Sequence, residues 1–107
     1  MFNNNCCIGR RANIIELVKL FIGNNDLYYS DIETIFNDGM EKTKSWLKSD
    51  ADLEDVRLEF LVAAVVNYNY TKLTKTSDMD KADKLLKDYA DLCKTFLKDN
   101  IRAELGV

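Results

Sequence analysis

The chain has 107 residues, which is one domain with a single core, and its 47% hydrophobic and 31% charged residues argue against disorder. It has no histidine, which removes the commonest general base, the Ser-His-Asp and Cys-His nucleophile pairs and every imidazole zinc site; it has no proline, so nothing forbids long uninterrupted helices. A net charge of −3, with acids crowded into residues 24–60, argues against a phosphate-binding surface.

Residues 1–12 read as a flexible arm ahead of a single helical domain over 13–107. Cys6 and Cys7 are adjacent and do not easily bridge each other, because neighbouring Cα atoms are only ~3.8 Å apart. The polar Phe2-Asn3-Asn4-Asn5 run, followed rather than preceded by Arg10-Arg11, does not read as a signal peptide, so free thiols in a reducing cytoplasm are expected.

Asn13-Ile14-Ile15-Glu16 has the spacing of a capping box and predicts a first helix with Ile14, Leu17, Val18 and Phe21 on one face. Gly23-Asn24-Asn25-Asp26 stops it, glycine being suited to a left-handed C-cap. Ser30-Asp31-Ile32-Glu33 is a second capping box and predicts a helix over 31–47. Its buried stripe is Ile32, Ile35, Phe36, Gly39, Thr43, Trp46 and Leu47. Gly39 costs ~1 kcal/mol of helix propensity relative to alanine, which points to close approach by a neighbouring helix.

After the polar break at 48–52, a third helix is predicted over 53–73. From 58 to 66 it reads Leu-Glu-Phe-Leu-Val-Ala-Ala-Val-Val, apolar almost all round, so it is central and covered by its own chain or a neighbouring copy. Tyr68 and Tyr70 point to different faces; at most one is buried with Leu73, and the other is a contact residue.

Ser77-Asp78-Met79-Asp80 then starts a last helix with the stripe Ala82, Leu85, Leu86, Tyr89, Leu92, Cys93, Phe96, Leu97 and Ile101. A helix of ~27 residues reaches ~40 Å, longer than the first three need for cover. The fold class expected is therefore all-α: a small four-helix bundle of three short helices and one long C-terminal helix.

Motifs for chemistry are scarce. There is no Gly-rich phosphate loop, no GxSxG and no HExxH, and the carboxylates sit on solvent-facing positions. Asp50, Asp52, Glu54 and Asp55 have the look of half an EF-hand loop, but the mid-loop glycine and the terminal glutamate are missing. No enzyme, no cofactor and no metal site is expected. No run of ~18 apolar residues suggests a membrane span. Protein–protein assembly remains as the function class.

The order of elements carries a resemblance. A short apolar-faced helix over 14–22, a Gly-Asn-Asn-Asp turn, a second helix ending in an aromatic, an acidic break, and Val56-Arg57-Leu58 leading into an apolar helix that ends in Tyr68 and Tyr70 resembles the head–tail connector (adaptor, head-completion) proteins of tailed bacteriophages. The likeness covers about residues 14–73. This chain carries Leu53-Glu54-Asp55 where the family commonly has proline, and Glu59 where it usually has a small apolar residue.

The resemblance implies a structural subunit. Copies form a ring of about a dozen beneath the portal protein, extend the DNA channel and meet a downstream tail or stopper protein. DNA passes through without sequence-specific binding, no membrane is involved, and the site is the virion neck after synthesis in the bacterial cytoplasm. The candidate assembly interface is Tyr68, Tyr70, Phe96, Leu97 and Ile101. The candidate channel-facing acids are Asp50, Asp52, Glu54 and Asp55. The competing expectation is a small cytoplasmic helical regulator or adaptor that acts as a homodimer through residues 82–101.

Overall fold

In the computed structural model, which describes residues 8–75 and 78–107, five α-helices follow one another: α1 (Arg11–Ile22), α2 (Tyr29–Trp46), α3 (Val56–Thr74), α4 (Met79–Leu92) and α5 (Asp99–Leu105). A 3₁₀ turn, Lys94–Phe96, lies between α4 and α5. The described residues contain no strand beyond one isolated antiparallel bridge, Leu47 with Leu97. Cys6 and Cys7, and Ser77 ahead of α4, lie outside the described residues.

The central helix is α3. It packs against α1, α2 and α4, and Leu58, Leu61, Val62, Ala63, Ala64 and Val66 are fully buried. The all-round apolar run is thus covered by its own chain. Gly39 of α2 explains itself here: a Cβ at that position would lie 2.7 Å from Val66 Cγ2, so glycine sets how closely α2 approaches α3. Ile32, Phe36, Met40, Thr43, Trp46 and Leu47 are buried around that crossing. On the other side of the molecule Tyr89 of α4 stacks between Phe21 of α1 (5.6 Å between ring centroids) and Phe60 of α3 (5.4 Å). Face-offset aromatic pairs of this kind add to their area burial.

Three helix starts differ from the sequence expectation, among them α3, which begins at Val56 rather than at 53 because Asp55 caps it. α1 begins at Arg11, so Asn13 is inside it and the capping box does not form; its N-cap, Arg10, has no side-chain cap. The Arg10 N–H donates instead to Glu59 of α3. The segment read as an arm up to residue 12 is likewise packed from residue 8 onward, since Ile8 is fully buried. α2 begins at Tyr29, which puts Ser30 within its first turn rather than at its cap.

The other ends follow local chemistry. Asp55 caps α3 by accepting from the Arg57 N–H at 2.9 Å. Asp78 caps α4 by accepting from the Asp80 and Lys81 N–H groups at 2.9 and 3.4 Å. Gly23, at φ 80°, ends α1 in the left-handed conformation that glycine adopts without strain.

The long C-terminal helix is broken. α4 stops at Leu92, and the chain turns through Lys94–Phe96 before α5. The reason is tertiary. Leu97 lies extended (φ −92°, ψ 145°) beside the end of α2, where the Lys48 N–H donates to Phe96 O (2.8 Å) and the Lys98 N–H donates to Trp46 O (2.9 Å). These bonds satisfy backbone groups that a continuous helix would have paired within itself. The inward stripe of α4 is Ala82, Leu86 and Ala90, with Cys93 just beyond it, all four buried against the body of the protein. It is therefore occupied within the chain, and the single long C-terminal helix expected from the sequence is replaced by α4, a 3₁₀ turn and α5.

Surface ion pairs on α4 join Lys87 to Asp83 (3.3 Å) and Lys84 to Asp88 (3.0 Å), and Lys94 pairs with Asp91 (3.6 Å). Exposed pairs of this kind are worth at most ~1 kcal/mol each. No described helix is long and apolar enough to cross a membrane.

Candidate functional site

Three regions carry chemistry that the core does not require. The first is the turn between α2 and α3. Asp50, Asp52 and Glu54 are exposed there and make no ion pair among the described residues. Asp52 Oδ1 accepts the Glu54 N–H at 3.0 Å, an Asx-type turn that fixes the loop locally. Asp55 behaves differently. Besides capping α3 it takes a paired contact from the Arg57 side chain, Nε to Oδ1 and Nη2 to Oδ2, both 2.9 Å. The guanidinium hydrogen bonds lower the Asp55 carboxyl from its usual 3.8 to about 2. Three of the four candidate acids therefore remain as an outward negative patch, and the fourth is a structural cap.

The second region holds the aromatic and aliphatic candidates. Tyr68 is half-buried in a groove of about 250 Å³ that also involves Trp46, Leu86 and Leu105, with Lys42 Nζ 5.9 Å from the Trp46 ring centre. Tyr70 is also half-buried, so neither tyrosine is fully inside, and Leu73, expected to be covered, is 69% exposed. Phe96 is half-buried beneath the Arg57 guanidinium, 4.9 Å from its ring centre. Ile101 is half-buried on α5. Leu97 has no exposure at all and is a core residue; it cannot belong to an interface without unfolding the bridge at Leu47. Arg57 thus connects one candidate acid, Asp55, with one candidate interface aromatic, Phe96.

The third region was not flagged as a site by the sequence. A cleft of about 590 Å³ lies between the start of α1 and the start of α3, lined by Gly9, Arg10, Arg11, Asn13, Glu54, Val56 and Glu59. Glu59 is 5% exposed and is the one buried charged side chain among the described residues. A carboxylate so placed needs hydrogen-bond donors to offset its lost hydration. The Arg10 N–H donates to its Oε2 at 2.7 Å, and Asn13 Nδ2 donates to its Oε1 at 3.4 Å. Beside the cleft, the Arg11 side chain donates to Tyr29 Oη (2.9 Å) and lies over the Tyr29 and Phe36 rings at 5.2 and 5.6 Å. The only sequence signal for this cleft was a glutamate inside an apolar run. Its partners lie 46 and 49 residues away in the chain.

Cys93 is a buried free thiol whose Sγ lies 3.3 Å from Arg57 O, and burial pushes it up to about 11. It is a core residue rather than a nucleophile. No group of three or more His, Cys, Asp or Glu side chains is placed to hold a metal ion among the described residues.

No protein-family model matches the chain, and neither a curated protein nor a solved structure matches it.

Proposed function

We propose that this chain is a structural subunit of the head–tail connector of a tailed bacteriophage, placed in the virion neck. Copies form a ring of about a dozen beneath the portal, prolong the DNA channel and present a docking face to the next tail or stopper protein. The observation that carries this reading is the α2–α3 junction. An exposed acidic turn runs directly into a capped Val56-Arg57-Leu58 start, and the helix that follows is the central one, as in the element order of that family.

The chemistry of the turn fits a channel lining. Asp50, Asp52 and Glu54 are exposed and have no cationic partner among the described residues, and a rim of such carboxylates repels passing phosphates rather than binding them. Assembly would use side chains left at the surface. Tyr68, Tyr70, Phe96 and Ile101 are half-buried, and Leu20, Tyr28, Val56, Leu73 and Leu92 are exposed large hydrophobics. A ring contact is heterologous, with two different patches of one subunit meeting, so it does not need a self-complementary face. Neither a cofactor nor a membrane enters this role, and DNA is cargo rather than ligand.

Electron microscopy of the protein added to portal rings tests the proposal. An added ring layer with residues 50–54 facing the lumen is the expected image. A layer with those acids facing outward would sink the channel assignment, and bare portals would sink the connector reading.

A further inference from the structure

Glu59 plays no part in that assembly reading, yet it organises the start of the fold. Residues 8–10 run without helix across the bundle before α1. Three backbone donors hold them. The Ile8 N–H approaches Met40 Sδ at 3.4 Å, the Gly9 N–H donates to Leu53 O at 2.8 Å, and the Arg10 N–H donates to Glu59 at 2.7 Å. The first of these is weak, because a thioether is a poor acceptor. Gly9 is fitted to the carboxylate: its φ is +55°, and a Cβ there would stand 2.3 Å from Glu59 Cγ. At the front of the segment the Ile8 side chain is fully buried.

The open cleft on the other side of Glu59 matters for the energetics. When the Arg10 bond breaks, the carboxylate meets water in the cleft rather than being stranded in a dry core, so separation avoids the large penalty of an unpaired buried charge. Non-helical residues held by few bonds belong to the low-stability end of a fold. We propose that residues 8–10 are a strap latched by Glu59, which opens as a unit while α2, α3 and α4 stay folded and so uncovers the apolar socket that Ile8 fills beside Met40. The proposal is independent of the assembly role.

Residue-resolved amide hydrogen exchange on the full chain tests it. Glu59→Leu removes both acceptors. Gly9 and Arg10 amides are then expected to exchange at least about tenfold faster, the loss of one bond to a charged group, while amides of Leu61, Val65 and Leu86 change by less than about threefold. Glu59→Gln keeps an acceptor oxygen and should retain most of the protection. Unchanged exchange at Gly9 and Arg10 in Glu59→Leu overturns the latch. Equal acceleration of every core amide overturns the separate strap. Should Glu59→Leu fail to fold, Gly9→Ala tests the contact from its other side: the same selective acceleration is expected, and a uniform change or none overturns the proposal.

Discussion

At Gly39 two effects oppose each other, and their sizes decide the outcome. Alanine would gain about 1 kcal/mol of helix propensity, but its Cβ would meet the stiff, β-branched Val66 at 2.7 Å. Overpacking of this kind costs about 1–3 kcal/mol. Gly39→Ala is therefore expected to lower stability by about 1 kcal/mol, read as a lower denaturant midpoint at unchanged m-value. Gly23 gives a contrast, because nothing lies within 4 Å of its missing Cβ and only its positive φ resists substitution. Val65→Asp should strongly destabilise the chain, since that side chain is 2% exposed and a carboxylate there would lose most of its hydration. Circular dichroism at 222 nm would show it.

Two titrating side chains make further residue-scale predictions. The Asp55 carboxyl is held at about 2 by Arg57, below its usual 3.8. A depressed folded value means a contribution present above the usual value and lost as pH falls through about 2. Thermal melts of the wild-type chain should thus lose stability between pH 4 and pH 2, and Asp55→Asn should be less stable at neutral pH but flatter across that window. Cys93, pushed up to about 11 by burial, should resist thiol reagents at pH 8 in a chain whose Cys6 and Cys7 are serine, and should react once denaturant is added. Fast labelling of the native chain would contradict its placement in the core.

At the scale of elements, what could be read from the sequence depended on where the stabilising partner lies. The centrality of α3 was legible because an all-round apolar run can only be covered, and the stop at Gly23 and the start of α4 near Asp78 were legible because each acts within its own turn; the cap at Asp55 was not, since the third helix was expected to begin at 53. The start of α1 was not legible, because its first donor is satisfied by Glu59, 49 residues on. The break after Leu92 was not legible either. No glycine or proline marks it, and the bonds that replace the helix come from Trp46 and Lys48. The same blindness affected the candidate site. Leu97 lies on a helical-period stripe, and periodicity marks an apolar position without saying whether a core or a partner receives it; the structure puts it in the core while leaving Phe96 and Ile101 half-buried. Asp78→Ala, by removing the acceptor for two first-turn donors, is expected to destabilise by about 1 kcal/mol. A shift of that size is measurable as a drop of roughly 4–8 °C in Tm.

At the scale of the molecule, the helices form a self-sufficient body. The radius of gyration, 13.1 Å, is close to the ~13 Å expected of a folded chain of this length, and the shortest extent, 19 Å, is about two helices deep. The apolar run of α3 from Leu58 to Val66 is covered within the chain, so assembly is not needed to complete the core. On the proposed reading, the chain would fold alone and join its neighbours through surface patches. Lys98→Glu, at the exposed start of α5, should accordingly leave the circular dichroism spectrum unchanged and at most weaken association. Light scattering distinguishes a ring-forming connector subunit, as proposed, from a free-standing protein. The mass of the protein should be determined alone and after mixing with portal rings from the genome that encodes it. A folded protein that gains ring-sized mass on the portal is expected; a stable dimer indifferent to portals would overturn the connector reading.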